Sequence, residues 1–193
     1  MKKSSIIGVL ILCFTFWGKA QVRNEIRVPD PEGYRTLKCD FHIHTVFSDG
    51  LVWPTVRVDE AYREGLDAIA LTEHLEYRPH RQDIIASHNR SYEIAEKTAR
   101  NNQVILIRGS EITRPMAPGH FNAIFLNDCD ALELPMIGTS DIHQPIQTDI
   151  DFARGQHRTM TFVFVRERSA EGIREALLHR RTAVYMDEKV IAE

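Results

Sequence analysis

The sequence is poor in cysteine, in long apolar runs and in excess positive charge, and each shortage excludes a class of protein. Three cysteines among 193 residues are too few for the disulfide framework of a small secreted scaffold. A formal net charge of −3 argues against binding a nucleic acid backbone by bulk charge. The sequence has neither an internal repeat nor a low-complexity segment. Its composition, 43% hydrophobic and 26% charged, is ordinary for one soluble globular domain.

The longest apolar run, Ile6–Trp17, stands near the start of the chain and has the features of an export signal. Two lysines precede it, and Gly18-Lys19-Ala20 follows it. A positive start, a short apolar stretch and small residues before a cleavage point are typical of a secretory signal peptide. The run has about twelve residues, whereas a bilayer-spanning helix needs about twenty.

We therefore expect residues 1–20 to be a signal peptide that is removed after Ala20. The mature protein would then be exported, periplasmic or secreted, and free of the membrane. An uncleaved anchoring helix is the alternative. Only Cys39 and Cys129 remain after cleavage. Cys39 has the opposite strand parity from His42 and His44, so we expect it to be a buried free thiol on the other face.

The rest of the chain divides into an extended lead-in, residues 21–35, and one domain, residues 36–193. Apolar periodicity predicts helices over 55–64, 82–100 and 170–179. Short apolar runs predict strands over 37–43, 68–71, 104–107, 121–126, 135–138, 159–165 and 182–185. Strands that alternate with helices are typical of parallel βα units, so we predict an α/β fold with a barrel-like sheet.

Two histidines stand at the end of the first predicted strand. Successive strand residues point to opposite faces, so His42 and His44 project from the same face. Two imidazoles on one face can bind one metal ion. Taken alone, the pair is equally compatible with two hydrogen-bonded histidines at a solvated strand end.

The same pattern recurs along the chain. Asp49 lies in the turn just beyond the first predicted strand, and further metal-ligand residue types lie at the ends of later ones. His74 ends the second strand, Glu111 ends the third, His120 opens the apolar run at 121–126, and Asp141 and His143 follow the short strand at 135–138. In a barrel of βα units the loops after the strands converge on one face, where active sites collect. Five imidazoles and three carboxylates on one rim would repel one another or remain unsatisfied unless cations bind among them. We therefore predict a site for several metal ions.

The motifs of the PHP family, named for polymerase and histidinol phosphatase, resemble six segments of this chain. In order they are Asp40-Phe41-His42-Ile43-His44-Thr45, Ser48-Asp49-Gly50, Thr72-Glu73-His74, Gly109-Ser110-Glu111-Ile112, Gly119-His120 and Ser140-Asp141-Ile142-His143. The resemblance spans residues 37–185. It implies a distorted (β/α)7 TIM-like barrel, up to three divalent ions of zinc, manganese or iron, and phosphoester hydrolysis.

The resemblance also implies how the ligands are shared, with no catalytic residue separate from them. The first metal would take His42, His44, Glu111 and Asp141. Glu111 would bridge to a second metal that His120 also binds, and the third metal would take Asp49, His74 and His143. Glu73 stands where many members have Asp and is not expected to be a ligand.

One family feature is missing. Members usually have a further histidine between the positions of His120 and Asp141, but none of the twenty residues between them here is histidine. We therefore expect that a segment is missing near residues 130–135. Its loss would leave the barrel incomplete and the second metal short of a ligand.

The expected chemistry is attack on phosphorus by a metal-bound hydroxide, because clustered divalent ions lower the pKa of water towards neutrality. Arg78 and Arg114 lie in loops beside predicted ligands and are candidates for binding the substrate phosphate. The acidic composition favours small phosphomonoesters, nucleotides or oligonucleotide ends over long nucleic acid. Two alternatives stay open: an amidohydrolase-like metal hydrolase that cleaves C–N or C–O bonds, and a non-catalytic metal-binding module.

Overall fold

A computed structural model of the chain describes residues 22–75, 77–84, 87, 89–112, 121–124, 137, 139–186 and 189–191. The expected signal peptide and nearly all of the strand predicted at 135–138 lie outside these residues. Within the described residues, no helix is long and apolar enough to cross a membrane.

Seven strands and four helices make up the described regular structure. The strands are β1 Arg35–Ile43, β2 Ala68–Leu71, β3 Ile105–Ile112, β4 Phe121–Ile124, β5 Met160–Val165, β6 Thr182–Met186 and β7 Lys189–Ile191. The helices are α1 Pro54–Glu64, α2 Arg90–Asn101, α3 Ile146–Asp149 and α4 Ala170–Leu178, with a short 3₁₀ turn at Phe152–Arg154. Predicted bounds agree closely for β2, α1, β5 and α4.

The helix predicted over 82–100 begins only at Arg90. Upstream of it, the backbone amides of Asp83 and Ile84 both donate to the carbonyl of His80, at 3.0 and 2.9 Å. These contacts close one tight turn, and residues 81–84 form a turn and bend rather than a helix. The predicted start of this helix at residue 82 is therefore wrong, because the described residues 81–84 form a turn instead of the first turn of the helix.

The strands form one mixed sheet in the order β4-β3-β2-β1-β5-β6-β7. β1, β2 and β3 are parallel, as the βα pattern predicts. β5 is antiparallel to β1, and β4, β6 and β7 each pair antiparallel with their neighbours. The α/β class is confirmed, but the described strands form an open sheet and not the predicted TIM-like barrel. Antiparallel strands on both flanks extend the sheet outwards where a barrel would continue the parallel order.

Both faces of the sheet are covered, which explains why β2 is buried at every position. Ile69 and Leu71 belong to the core on the side of α1 and α2. Ala68 and Ala70 belong to the core on the side of α4. The sheet is therefore the middle layer of three, and strands buried on two faces read as continuous apolar runs.

Cys39 packs into the core on the α4 side, between Leu37 and Phe41 in the strand, and its thiol is free and buried. This confirms the parity argument, because Asp40 and the two histidines point away from that core. Burial raises the pKa of the Cys39 thiol well above its usual value, and the nearby charge of Asp67 adds to this rise. Cys129 lies outside the described residues.

A buried ionic network joins α1 to β1. The Arg158 guanidinium donates to both oxygens of Glu64, at 2.6 and 2.7 Å, and to Asp40 Oδ2 at 3.0 Å. Asp40 Oδ1 accepts from the backbone amides of His42 and Ser140, both at 3.2 Å. Because Arg158, Glu64 and Asp40 are all nearly inaccessible to water, each charge depends on the others for its stabilisation.

We expect Arg158→Met to lower the free energy of unfolding by about 3–5 kcal/mol, because it leaves two carboxylates buried without their cation. Denaturant unfolding followed by circular dichroism measures the loss. Arg154→Met is the matched control: Arg154 pairs with Asp151 at the surface and should change stability by less than about 0.5 kcal/mol. A loss below about 1 kcal/mol in Arg158→Met would contradict the network's role.

Candidate metal centre

The parallel strands bring the predicted ligands to one edge of the sheet. β1, β2 and β3 run in the same direction, so their carboxyl ends lie side by side, where α/β sheets bind ligands. His44 directly follows β1, His74 follows β2, and Glu111 is the second-to-last residue of β3. His74 and Glu111 form an isolated parallel bridge. The period-two argument for His42 and His44 is confirmed, since their Nε2 atoms lie 3.0 Å apart.

The segment around Asp141 reaches the same edge from far along the chain. Ile142 pairs in parallel with Ile43, at the end of β1. The backbone amide of Asp141 donates to the His42 carbonyl at 3.0 Å, and that of His44 donates to Ile142 at 3.3 Å. Asp141 has a φ of 52°, a left-handed conformation that Asp tolerates better than most residues. Strain of this kind concentrates at functional sites.

One group of side chains consists of His42, His44, Glu111 and Asp141, whose nearest ligand atoms all lie within 4.8 Å of one another. His42 Nε2 lies 3.0 Å from Glu111 Oε2 and 3.1 Å from Asp141 Oδ1. His44 Nε2 lies 3.1 and 3.2 Å from the same two oxygens. Ligand atoms about 2.1 Å from a tetrahedral ion are about 3.4 Å apart, so the spacing fits one cation.

A second group consists of His44, Asp49, His74 and His143, again within 4.8 Å. Asp49 Oδ2 lies 3.3 Å from His74 Nε2, and Asp49 Oδ1 lies 3.3 Å from His143 Nε2. Asp49 Oδ1 is buried and accepts no hydrogen bond. A buried carboxylate oxygen without a donor is costly, and a cation among these atoms would satisfy it. The donor sets of both groups, nitrogen and oxygen without thiolate, fit a divalent ion of the zinc, manganese or iron type.

The turn that presents Asp49 is held by Glu73. Glu73 accepts from the backbone amide of Thr45 at 3.1 Å, from Thr45 Oγ1 at 2.6 Å and from Ser48 Oγ at 2.7 Å. Gly50 closes the turn against the backbone of His44, where a Cβ would lie 2.5 Å from the His44 carbonyl carbon. Position 50 therefore has no room for a side chain, and glycine is required there. Glu73 belongs to neither ligand group, and its role is to fix the turn.

The hydrogen bonds of Ser48 indicate which nitrogen of His44 faces a metal. Ser48 has one hydroxyl proton, and the carboxylate of Glu73 accepts it. Ser48 Oγ, 3.2 Å from His44 Nδ1, is then the acceptor for an Nδ1–H donor. This tautomer leaves the Nε2 lone pair directed at Glu111 and Asp141. A neutral imidazole has one acceptor nitrogen, so His44 fits the group with His42, and Asp49, His74 and His143 remain as the other set.

The electrostatics favour the protonation states that metal ligands need. Burial raises the pKa of Glu111, but the hydrogen bond and charge of His42 and the charges of His74 and His44 outweigh it and lower the pKa. Asp141 behaves in the same way, with a hydrogen bond from His44 as the main lowering effect. Burial, helped by repulsion from His44, lowers the pKa of His74. Both carboxyls are therefore ionised and His74 is neutral at pH 7.

The pKa of His44 moves the other way. Burial lowers it, but the hydrogen bond to Asp141 and the charges of Glu73, Asp49 and Asp141 outweigh burial and raise the pKa. The surrounding carboxylates therefore stabilise a positive charge at this ring. A cation at Nε2 would receive the same stabilisation as the proton that it replaces.

The structure thus brings together seven of the eight predicted ligands: His42, His44, Asp49, His74, Glu111, Asp141 and His143. The eighth, His120, and the candidate phosphate residue Arg114 lie outside the described residues, as does the junction at 130–135. The predicted second metal site, which depends on His120, is therefore not described. Sequence reasoning did not identify Ser48 as a supporting residue. It also did not identify Arg57, whose side chain on α1 donates to the backbone carbonyl of His44 at 2.9 Å. Ser48 stands in the Ser-Asp-Gly turn, which was the available signal, whereas nothing in the sequence marks Arg57.

We expect Ser48→Ala to weaken divalent-metal binding about 10- to 100-fold, the usual cost of losing a partner that orients a ligating histidine. Competition with a chromophoric chelator measures the affinity. Ser91→Ala serves as the control, because Ser91 is also a buried serine but lies on α2. Equal affinities in the two variants would show that the Nδ1 contact does not orient His44.

Comparison with known proteins identifies a related solved structure. No family model matches the chain, and no curated protein matches it. A crystal structure of a two-domain protein from Bacteroides vulgatus, which contains a predicted PHP-like metal-dependent phosphoesterase, is 50% identical in sequence with a TM-score of 0.83. The match covers 89% of this chain and 71% of that chain.

Two other solved structures show more limited likeness, each with a TM-score of 0.34, too low to bear on the fold. A candidate metal-dependent phosphoesterase from Bifidobacterium adolescentis is 26% identical over 45% of this chain and 26% of that chain. An amidohydrolase from Chromobacterium violaceum with bound sulfate is 21% identical over 44% and 25%. On the strength of the Bacteroides vulgatus structure, this chain belongs to the family of PHP-like metal-dependent phosphoesterases.

Proposed function

We propose that the chain hydrolyses phosphate esters with the help of divalent ions held at the carboxyl edge of β1, β2 and β3. The observation that supports this most strongly is the approach of seven histidine, aspartate and glutamate side chains, in two groups with ligand atoms within 4.8 Å. Family membership supports the reaction class, since the related two-domain protein is described as containing a predicted PHP-like metal-dependent phosphoesterase.

We assign His42, His44, Glu111 and Asp141 to one ion and Asp49, His74 and His143 to another. When bound, such ions would lower the pKa of water and neutralise the charge of the phosphoryl oxygens. The low pKa of Glu111 and Asp141 keeps both carboxylates ionised and available as ligands. Glu73 and Ser48 fix the turn that orients Asp49 and His44. Glu111 and His120 are the ligands we propose for a further ion.

Arg78 is the residue we propose for binding the substrate phosphate. Its Nε and Nη2 atoms are buried and have no hydrogen-bond partner within the described structure. These two atoms form the edge of a guanidinium that binds two oxygens of one phosphate. Arg78 follows His74 by four residues, and the ring of the adjacent Tyr77 packs edge-on to that of His74 at 6.1 Å. Four residues span at most about 14 Å, so this loop begins beside the ligand groups.

The proposed substrates are small phosphomonoesters, nucleotides or the ends of oligonucleotides. The net charge of −3 would repel a long polyanion, whereas a single phosphate can be neutralised locally. We also propose that the protein acts after export, on the basis of its N-terminal sequence.

Replacing both His42 and His44 by alanine should abolish hydrolysis of p-nitrophenyl phosphate. Lewis-acid stabilisation is worth several kcal/mol, and each 1.4 kcal/mol is about tenfold in rate, so we expect a loss of at least about a thousandfold in kcat/KM. His179→Ala is the control, because His179 is an exposed histidine at the end of α4. The assay uses metal-loaded protein, with metal content checked in each variant.

Parallel assays with amide and lactone substrates separate the reaction classes. Turnover of those substrates without phosphatase activity would point to an amidohydrolase-like hydrolase. Metal binding without any turnover would point to a binding module. Full phosphatase activity in the double variant would refute the proposed site.

Arg78→Met should lower kcat/KM for p-nitrophenyl phosphate about 10- to 100-fold, with metal content unchanged. Charge-assisted hydrogen bonds contribute about 1.5–3 kcal/mol, which corresponds to that range. Arg81→Met, three residues further along the same loop and exposed, should leave kcat/KM nearly unchanged. If the two variants behave alike, Arg78 does not bind the phosphate.

A further inference from the structure

Besides Arg158, a second buried arginine lies directly behind the ligand groups. Arg57, on α1, is completely inaccessible to solvent. Its Nε donates to the backbone carbonyl of His44 at 2.9 Å. Its Nη2 donates to the carbonyls of Ile142 and His143, at 3.1 and 2.8 Å. Its Nη1 donates to the carbonyl of Gln144 at 2.8 Å and to Glu60 at 2.9 Å.

These contacts connect two parts of the centre that are distant in sequence. His44 is 13 residues from Arg57, whereas Ile142 and His143 are 85 and 86 residues away. The ligand Asp141 directly precedes the three consecutive residues whose carbonyls Arg57 binds. One guanidinium therefore fixes the backbone that presents a member of each ligand group.

Glu60 completes the arrangement. Its Oε2 accepts from Arg57, and its Oε1 accepts from the backbone amide of Ile146 at 3.1 Å. The Arg57–Glu60 pair is spaced i, i+3 on α1, so the helix holds both side chains in register. Together they contact four of the five residues from Ile142 to Ile146, the part of this segment that follows Asp141.

We propose that Arg57 is a positioning residue of the metal centre, which docks residues 141–144 against the end of β1 so that Asp141 and His143 meet the histidines of β1 and β2. This inference rests on the proposed metal ligands. Arginine suits the task because its five donors form a planar fork. The single ammonium of lysine has three donors and cannot reach all four carbonyls with the same geometry.

The test measures metal affinity in the absence of substrate, by competition of Zn²⁺ or Mn²⁺ with a chromophoric chelator. Arg57→Lys should bind the metal about 10- to 100-fold more weakly, the usual cost of removing support for ligands. The double variant Arg57→Ala with Glu60→Gln removes both buried charges together, so that Glu60 is not left as an unpaired carboxylate. It should lose at least as much affinity, and its fold is checked by circular dichroism and thermal unfolding.

Guanidinium ion provides a readout that a general loss of stability would not move. At non-denaturing millimolar concentration it can enter the space vacated by the Arg57 side chain and donate to the same carbonyls. We expect it to restore several-fold of the lost affinity in the double variant and to have no effect on the wild type. Arg63→Ala, on the exposed side of the same helix, should bind metal as the wild type does, with or without guanidinium.

Wild-type affinity in the folded double variant would overturn the proposal, and so would a loss that guanidinium leaves unchanged. These outcomes are distinct from failure of the proposed function. A wild-type chain that binds metal and responds as expected to the Arg57 substitutions, yet hydrolyses no phosphate ester, would refute the activity alone. An active phosphatase whose metal affinity ignores Arg57 would refute the positioning role alone.

Discussion

Four imidazoles and three carboxylates share one partly buried edge of the sheet, and their mutual electrostatics constrain the structure around them. Protons cannot satisfy all of these groups at once. Positive charge is favoured at His44, but burial lowers the pKa of the neighbouring His74, and the charge at His44 lowers it further. Asp49 Oδ1 meanwhile accepts no hydrogen bond. Divalent cations would resolve this conflict, because each one would place positive charge between several carboxylates while the histidines remain neutral.

Behind this edge, the protein uses arginine side chains as permanent internal cations. Arg158 pairs with both Asp40 of β1 and Glu64 of α1, and Arg57 donates to four backbone carbonyls beside the ligand groups. Asp40 connects this buried network to the ligand groups, since its side chain accepts from the backbone amides of His42 in β1 and of Ser140, the residue before Asp141. Arg57, Arg158, Asp40 and Glu64 are each paired and hydrogen-bonded, which is the condition under which burial of a charge is tolerated. The proposed ligands therefore rest on a buried, hydrogen-bonded polar framework.

The parts that were predictable from sequence depend on local patterns. Period-two alternation placed His42 and His44 on one face, and the apolar run at 68–71 defined β2 to the residue. Strand direction is a non-local property, so alternation of strands and helices did not reveal that β5 is antiparallel to β1 or that the sheet is open. Arg57 and Arg158 were missed because a buried arginine and a surface arginine look the same in a sequence. The sequence also does not indicate which backbone carbonyls accept from Arg57, since every residue has one.

The long separation between Arg57 and residues 142–144 bears on how the centre assembles. Loop-closure entropy grows slowly, by about 0.6 kcal/mol for each doubling of loop length, so a few well-made hydrogen bonds can hold a segment that is distant in sequence. Docking of that segment and the proposed metal binding would be thermodynamically linked, because Asp141 and His143 can reach a shared ion only when the segment is docked. Any contact that favours the docked state raises metal affinity, and bound metal favours docking by the same factor. On the proposed ligand assignment, Arg57 and the bound cations would therefore stabilise one another without direct contact.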